Sequence, residues 1–228
     1  MEKKIIDDLP RLMSLDLSSV IGSFLKLHYI PRMILLEINQ QQSLVTFNKY
    51  SCLIILENLV QEGYDESNEL YDKLFAQLKK SSTNMNTKLV GRTISILHKY
   101  KEIFKKDEQR GEVIQDLTQF YIDRFNDSVR LVDKQVETDI VLNTLEHIRS
   151  LHKLQKATIG KELDVGQFVE NCLRLLEDRI EKLRPDVFLR SLEGFEEPKL
   201  RQRYVASILK AFRENKFDIR RFNFVQLS

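Results

Sequence analysis

Residues 120–148, FYIDRFNDSVRLVDKQVETDIVLNTLEHI, decide the fold class of this chain. Two stretches in which apolar residues recur at helical spacing flank a polar hinge, FNDS followed by VDKQ, that contains neither glycine nor proline. A short polar link between two amphipathic stretches of this period joins helices rather than strands, and it lacks the glycine and proline that most strongly mark tight turns. The stretch therefore predicts a helical hairpin.

The composition extends this prediction to the whole chain. Only 7 glycines and 4 prolines interrupt 228 residues, whereas a β-sandwich or barrel needs a turn signal about every dozen residues. Hydrophobic residues make up 42% of the chain and charged residues 31%, as expected for a folded rather than a disordered protein. We therefore expect one helical domain over residues 1–228.

Apolar periodicity predicts ten helices and two short turns. The turns are expected near 186–193 and 217–224, and the helices near 2–13, 17–29, 31–42, 45–62, 67–80, 86–104, 108–126, 134–152, 164–184 and 197–214.

Capping residues support several of these boundaries. Ser67 and Asp164 precede predicted helices, where their side-chain oxygens accept hydrogen bonds from first-turn amides. Pro31 suits the first position of a helix. Pro185 is expected to end the preceding helix at Arg184, since proline disfavours helical backbone in the residue before it.

The helices come in consecutive pairs of about 40–50 residues, close to the period of HEAT and armadillo repeats. This pairing predicts an all-α, HEAT/armadillo-like α-solenoid of stacked helical pairs. A compact multi-helix bundle is the alternative architecture.

Catalytic and metal-binding motifs are not visible in the sequence. The seven glycines are isolated, so none builds a phosphate-binding loop, and the histidines lack the spacing of a zinc helix. Neighbouring acids diverge on a helix and do not flank one substrate atom. We therefore expect no enzyme, no cofactor, no metal and no small-molecule substrate.

Cysteine usage and apolar runs bear on the compartment. Cys52 and Cys172 are single and lie within apolar runs, which is typical of buried thiols in a reducing compartment. Asp7 and Asp8 interrupt the apolar core that a signal peptide needs. No run approaches the ~18 apolar residues of a membrane span. A cytosolic or nuclear protein without a membrane partner is expected.

Positive charge is concentrated in the basic C-terminal helix and tail, residues 198–228. Residues 198–222 contain eight bases against two acids, so they carry +6; the whole chain carries +2, which leaves −4 on the rest. Such bases can neutralise DNA phosphates, or they can simply be the solvated face of an amphipathic helix. The bases are Lys199, Arg201, Arg203, Lys210, Arg213, Lys216, Arg220 and Arg221.

A smaller basic group straddles one predicted loop. If stacked helical pairs curve in the right direction, this group forms a second basic patch that contacts the DNA backbone. Its members are Lys79, Lys80, Lys88, Arg92, Lys99 and Lys101.

Three segments within residues 45–195 resemble the cohesin SA subunits, the stromalins. The first is the stretch 120–148, where the likeness is carried by Phe120, Arg124, Phe125, Asp127, Val129, Asp133, Lys134, Val141 and Leu145. Residues 49–97 resemble the stromalin conservative domain through Cys52, Glu57, Ser67, Asn68 and Tyr71. Residues 166–195 are similar to the helix pair that follows.

The chain also departs from this family. It contains no tryptophan, and Phe75 or Leu78 stands near the place where the family has one in its second helix pair. Lys88 or Leu89 stands where the family has a base for partner peptides. Stromalins are also much longer, so the chain would be a reduced homologue or a fragment.

The resemblance implies a non-enzymatic nuclear scaffold that binds the kleisin subunit of cohesin and holds DNA non-specifically during sister-chromatid cohesion. Its partner-binding candidates are Tyr71, Phe75, Arg124 and Phe125. Two other functions remain open. One is a cytoplasmic HEAT-like adaptor in protein transport, vesicle coats or translation, and the other is an enzyme whose site is assembled from distant residues.

Overall fold

A computed structural model describes residues 2–8, 14–40, 47–103, 108–131, 137–159, 162–214 and 216. Over these residues the regular structure is helical and includes no strand, which confirms the all-α prediction. The helices are α1 (Glu2–Asp8), α2 (Ser14–Lys26), α3 (Arg32–Gln40), α4 (Lys49–Gln61), α5 (Asn68–Lys80), α6 (Thr87–Ile103), α7 (Glu108–Leu131), α8 (Thr138–Ile159), α9 (Gly166–Glu177), α10 (Pro185–Gly194) and α11 (Pro198–Arg213). Short 3-10 turns cover Ser82–Asn84 and Ile180–Lys182.

The described residues belong to two compact units. Unit 1 draws on Met1–Met85 and Lys99–Asp107, and unit 2 on Asn86–His98 and Glu108–Ser228. Helix α6 thus contributes its first part to unit 2 and its last part to unit 1. The prediction of one repeat domain over 1–228 stays a prediction, as does the stromalin-like region 45–195.

Unit 1 is built from α1 to α5 and the end of α6. Helix α1 packs against α3, α3 against α5, and α2 against α4, while α4 also contacts α5. A cluster of aromatic rings fills part of the core: the Tyr71 ring lies 4.6 Å from that of Tyr100, and the Phe75 ring lies 5.4 Å from the same Tyr100. The Tyr71 hydroxyl donates a hydrogen bond of 2.8 Å to the carbonyl oxygen of Tyr64.

Unit 2 repeats one packing rule. Helix α7 packs against α9, α8 against α10, and α9 against α11, in addition to contacts between successive helices. The Phe125 ring of α7 lies 5.0 Å from the Phe168 ring of α9, and the side-chain amides of Asn126 and Asn171 join the same two helices at 2.9 Å. Each helix therefore rests on the helix two positions further along the chain.

Helices α8 and α10 run parallel to each other. Arg184 bonds Asp139 at an offset of 45 residues, Arg190 bonds Glu146 at 44, and Lys153 bonds Glu196 at 43. An offset that stays constant along both helices requires that the two chains advance in the same direction. The value lies within the repeat length of 40–50 residues expected from the sequence.

The corresponding offset in unit 1 is shorter. His28 meets Glu62, and Arg32 meets Glu66, at offsets of 34 residues in both cases. The helices α1 to α5 are only 7 to 13 residues long, whereas α7 and α8 contain 24 and 22 residues. The solenoid of stacked helical pairs stays a prediction.

The predicted cap of α5 is confirmed. The Ser67 hydroxyl accepts a hydrogen bond of 3.3 Å from the Leu70 amide and so caps α5. Pro31, predicted to be the first residue of α3, instead immediately precedes it, and its carbonyl oxygen accepts a hydrogen bond of 3.0 Å from the Leu35 amide. The predicted turns near 217–224 lie outside the described residues.

Two predictions around α9 are wrong. Asp164 does not cap α9; the N-cap position is Val165, and no side chain caps the helix. Gln119 of α7 instead holds the backbone of Asp164, accepting its N–H at 3.0 Å and donating to its carbonyl oxygen at 3.4 Å.

The second error concerns the end of this helix. Helix α9 ends at Glu177 rather than Arg184, and Pro185 starts α10, a ten-residue helix where only a short turn near 186–193 was expected. Arg184 is extended, with a ψ of 154°, as is usual for a residue before proline. The same proline that disfavours one helix thus begins the next.

Gly91 of α6 lies close to side chains of α8 in unit 2. A Cβ atom at this position would lie 2.6 Å from the Thr144 Oγ1 and 3.1 Å from the Ile140 Cγ2. The Thr144 hydroxyl is itself tied to the Ile140 carbonyl oxygen by a hydrogen bond of 2.6 Å. A larger residue at this position therefore requires the Thr144 side chain, or the backbone that carries it, to move.

We expect Gly91→Leu to destabilise the protein by about 1–3 kcal/mol, because the side chain overpacks the crossing of α6 and α8. Urea unfolding followed by circular dichroism measures this change. Gly166→Ala is the matched control, since a Cβ there meets only the Asp164 Oδ1 at 3.9 Å. Equal stabilities of the two variants would contradict the close approach.

Candidate interaction surface on helix α11

Helix α11 is fixed to unit 2 by one face. Tyr204, Ile208 and Ala211 are spaced by four and three residues, so they form one buried stripe. The Tyr204 ring lies 5.4 Å from the Phe195 ring, and its hydroxyl accepts a hydrogen bond of 2.8 Å from Ser191 of α10. Burial raises the pKa of Tyr204 to about 12, against the opposing effect of the Ser191 hydrogen bond.

Carboxylates of α9 neutralise one base of α11. The Arg203 guanidinium forms ion pairs with Glu170 and, at 2.8 Å, with Glu177. The Ser207 hydroxyl donates a further bond of 2.7 Å to Glu177. These two carboxylates hold the pKa of Arg203 above its usual range. Arg203 therefore fastens α11 to α9, and its charge is already compensated.

The outer face of α11 carries a second apolar stripe. Val205, Leu209 and Phe212 are 37%, 50% and 45% exposed, and their spacing of four and three residues places them on one side of the helix. Their side chains cover two helical turns. We call the exposed part of α11 that contains this stripe and four exposed bases of the same helix, Lys199, Arg201, Lys210 and Arg213, the α11 surface.

The bases of the α11 surface are exposed, and α11 contains no acid. The Nε of Arg201 donates a hydrogen bond of 3.0 Å to the Phe195 carbonyl oxygen, which orients its guanidinium beside the stripe. Lys216 pairs with Glu214 at 2.9 Å just beyond the helix. Arg220 and Arg221 lie outside the described residues.

The bases of the second predicted basic group differ in exposure and in pairing. Lys88 is paired with Glu137 at 3.2 Å, and Lys101 is buried, so that burial lowers its pKa. Lys79, Lys80 and Lys99 are exposed, and Arg92 is half-buried. Lys79, Lys80 and Lys99 belong to unit 1, whereas Lys88 and Arg92 belong to unit 2. The predicted concave DNA-binding patch stays a prediction.

Three of the four predicted partner-binding residues lie in the core. Tyr71, Phe75 and Phe125 are at most 2% exposed, and burial raises the pKa of Tyr71. Arg124 remains partly exposed, with its guanidinium 5.4 Å from the Phe120 ring centre and 3.7 Å from Asp127. The three aromatic residues thus have a packing role, and Arg124 is the accessible member of the set.

A small cleft lies between α8, α9 and the turn before α11. Its volume is about 260 Å³, and Leu145, Ile148 and Val169 are among the apolar residues that line it. At its rim Glu196 forms ion pairs with Lys153, at 2.6 Å, and with Arg149. These cations lower the pKa of Glu196. The charged groups of this rim therefore bind each other.

A further group of exposed apolar side chains belongs to unit 1. It comprises Leu15, Leu27, Tyr29, Met33 and Leu36 of α2, α3 and the loop between them. Helix α2 carries an acid, Asp16, in its first turn and a base, Lys26, in its last turn. Unlike the α11 surface, this group shows no preference for one sign of charge in a partner.

The two thiols are buried, as predicted. Cys52 in α4 and Cys172 in α9 are both inaccessible to solvent and form no disulfide. Burial raises the pKa of Cys52 to about 12 and also raises that of Cys172. Across the described parts of the chain, no three His, Cys, Asp or Glu side chains are placed to share a metal ion. None of the helices described has the length and apolar composition of a membrane span.

The sequence indicated the bases of the α11 surface but not its apolar stripe. Of the aromatic residues that lie between these bases, Tyr204 packs inward. Phe212 instead points outward with Val205 and Leu209. The spacing of these three residues indicates a second apolar stripe. Spacing alone, however, does not tell which of two adjacent stripes on one helix is buried and which is exposed.

Comparison of the chain with protein-family models, curated proteins and solved structures finds no match. The resemblance to the cohesin SA family therefore stays a prediction.

We expect Tyr204→Phe to cost about 1 kcal/mol at neutral pH, because it removes the hydrogen bond with Ser191. Since the folded-state pKa of Tyr204 is raised to about 12, its contribution to stability is present below pH ~10 and is lost as the pH rises towards 12. The variant should therefore lose less stability than the wild type over this interval.

Denaturant unfolding at several pH values between 7 and 12 measures both effects. Tyr50→Phe, at an exposed tyrosine, is the control. An unchanged stability of Tyr204→Phe at neutral pH would show that this hydroxyl does not anchor α11.

Proposed function

We propose that this chain is a non-catalytic helical scaffold that binds a protein partner through the α11 surface. The observation that carries the proposal is the stripe of Val205, Leu209 and Phe212, three large apolar side chains left 37–50% exposed beside the buried stripe of the same helix. Contiguous exposed apolar side chains rimmed by polar groups are typical of protein interaction sites.

The polar interactions of unit 2 support a scaffold. Arg184 with Asp139, Arg190 with Glu146 and Arg203 with Glu177 each join two helices rather than converge on a cavity. At the rim of the cleft between α8, α9 and the turn before α11, Glu196 is paired with Lys153, so these charged groups bind each other rather than converge on a bound molecule.

A more specific version of this proposal names the partner: it is the cohesin-type role that the resemblance implies. In that form the partner is a helical segment of the kleisin subunit and the chain acts in the nucleus. Packing of successive helices against one another is compatible with an extended binding surface for such a segment. The alternative form is an adaptor in protein transport, vesicle coats or translation.

A second candidate function, non-specific binding of the DNA backbone, is favoured by the charge of α11. The helix contains five bases and no acid, and four of the five lie in the α11 surface. Bases that neutralise phosphates release condensed counterions and make binding strongly dependent on salt. The compensated charge of Arg203 limits this function to the other four bases.

We expect Leu209→Asp to abolish or strongly reduce recovery of native partner proteins, because it places a charge in the middle of the apolar stripe. Affinity purification of the tagged full-length chain from its native cell, followed by quantitative mass spectrometry, measures the loss. Val113→Asp is the matched control, since Val113 of α7 is 40% exposed and lies outside the α11 surface.

Circular dichroism and thermal unfolding establish that both variants are folded. Proteins lost with Leu209→Asp but kept with Val113→Asp support the proposal. Recovery of a long coiled-coil ATPase and its bridging subunit among them would identify the cohesin-type form. An identical set of proteins for both variants would contradict a binding role of the α11 surface.

For the DNA candidate, we expect affinity for a random-sequence duplex to fall with salt, and the slope of log affinity against log salt to decrease by up to about 3 in K199Q/K210Q/R213Q. Fluorescence anisotropy at several salt concentrations measures both slopes. K3Q/K4Q/K26Q removes the same charge from exposed lysines of unit 1 and is the control. Undetectable binding of the wild type at low salt would exclude this candidate.

A further inference from the structure

We propose that the occupant of the α11 surface is an acidic amphipathic helix of another protein, aligned along α11. This inference rests on the proposed function and specifies the chemistry of the partner. Three features of α11 carry it: the length of its apolar stripe, the position of its bases on both edges of that stripe, and the chemistry that the stripe excludes.

The stripe has the dimensions of a helix-binding site. Val205 and Phe212 are seven residues apart, which at 1.5 Å per residue corresponds to about 10 Å along the axis. An amphipathic helix presents apolar side chains at i, i+3 or i+4 and i+7, and so spans the same distance in the same steps. Two parallel or antiparallel helices can therefore interdigitate over these two turns.

The bases lie on both edges of the stripe. At 100° per residue, Arg201 falls beside Phe212 on one edge, and Arg213 falls beside Leu209 on the other, with Lys199 and Lys210 further round the helix. The Arg201 side chain is already oriented by its hydrogen bond to the Phe195 carbonyl oxygen. A helix that covers the stripe thus brings both of its flanks against cations, and glutamates or aspartates there form ion pairs.

The contact between α9 and α11 already shows an acidic amphipathic helix bound to α11. Glu170 and Glu177 lie seven residues apart on α9, and both bind Arg203 of α11. The same α9 contributes apolar side chains such as Cys172 and Leu176 to the core. One side of α11 is thus bound by an amphipathic helix that carries acids, and the exposed side repeats the combination of apolar stripe and bases.

Other occupants fit the surface less well. A nucleic-acid backbone would cover Val205, Leu209 and Phe212 without apolar contacts. A membrane-surface helix inserts a broad apolar face ~5–10 Å deep, whereas this stripe is half-exposed on a helix held by α9 and α10. Residues 217–228 of this chain carry Arg220 and Arg221, which would bring like charges against the bases of α11.

The test is a selection of helical peptides by the full-length chain. A displayed library of 18-residue helices has leucine at i, i+4, i+7 and i+11 and a random choice of Glu, Gln or Lys at the positions that flank this stripe. The library is first depleted of peptides that bind the variant Leu209→Asp. The remaining peptides are then selected for binding to the wild type. We expect glutamate to be enriched on both flanks of the selected peptides.

Affinities of the selected peptides provide the quantitative readout. By fluorescence anisotropy we expect at least a tenfold loss with Leu209→Asp, a comparable loss with R201Q/R213Q, and no change with Val113→Asp. Binding should weaken with salt, since the flanking ion pairs are exposed. Val113→Asp also reports any general effect of a surface aspartate in unit 2.

Three results would overturn the proposal. The first is the absence of any peptide whose binding depends on Leu209, and the second is enrichment of lysine or glutamine on the flanks. The third is peptide binding to the full-length variant F222S/F224S but not to the wild type. Because this variant replaces two phenylalanines within residues 217–228, such a result would show that these residues occupy the α11 surface in the wild type. Vesicles with anionic lipids and a DNA duplex, added as competitors, should displace the peptides only weakly; displacement at low concentration would favour those partners.

Failure of this inference can be distinguished from failure of the proposed function. If Leu209→Asp loses native partners but no acidic helix is selected, the scaffold function stands and only the chemistry of the partner is wrong. If acidic helices bind but no native protein depends on Leu209, the proposed function fails while the specificity of the surface is established.

Discussion

The packing of each helix of unit 2 on the helix two positions further along the chain is the constraint on which the rest of that unit depends. It fixes the parallel direction of α8 and α10 and the offset of 43–45 residues at which their charged side chains meet. Gly91 of α6 lies in the same unit, and a Cβ there would lie 2.6 Å from the Thr144 Oγ1 of α8. Because α11 rests on α9 in the same way, its orientation follows from this rule.

The same rule determines which charges remain available. An ion pair between exposed side chains contributes little to stability, typically less than about 1 kcal/mol. The pairs along α8 and α10 therefore set the register of the two helices more than they hold them together, and apolar burial supplies most of the stabilisation. Their larger effect is on the surface: a base such as Arg203 that is compensated by two carboxylates no longer attracts an anionic partner.

Much of the fold could be read from the sequence, because helices in this chain obey local rules. Apolar periodicity located ten of the helices, and Ser67 marked the start of α5. The errors occur where contacts distant in sequence override local signals. Gln119 of α7 binds the backbone of Asp164, 45 residues away, so the aspartate does not cap α9. The residues between Glu177 and Pro185 fold into a 3-10 turn that periodicity does not distinguish from a continuing helix.

The candidate site was predictable only in part, for the same reason. Charge counting found the bases of α11, but the carboxylates that neutralise Arg203 lie 26 and 33 residues earlier, on a helix whose neighbours the sequence does not reveal. Tyr71, Phe75 and Phe125 were selected through a family resemblance that says nothing about burial, and they lie in the core.

The distribution of the two cysteines gives each unit its own internal reporter. Cys52 belongs to unit 1 and Cys172 to unit 2, and both thiols are shielded from solvent. A thiol-specific reagent reaches such a group only during a transient opening of the surrounding helices, so its modification rate reflects the free energy of that opening. Mass spectrometry of the two labelled peptides would therefore give the local opening equilibria of the units separately, in the natural sequence and without an introduced probe.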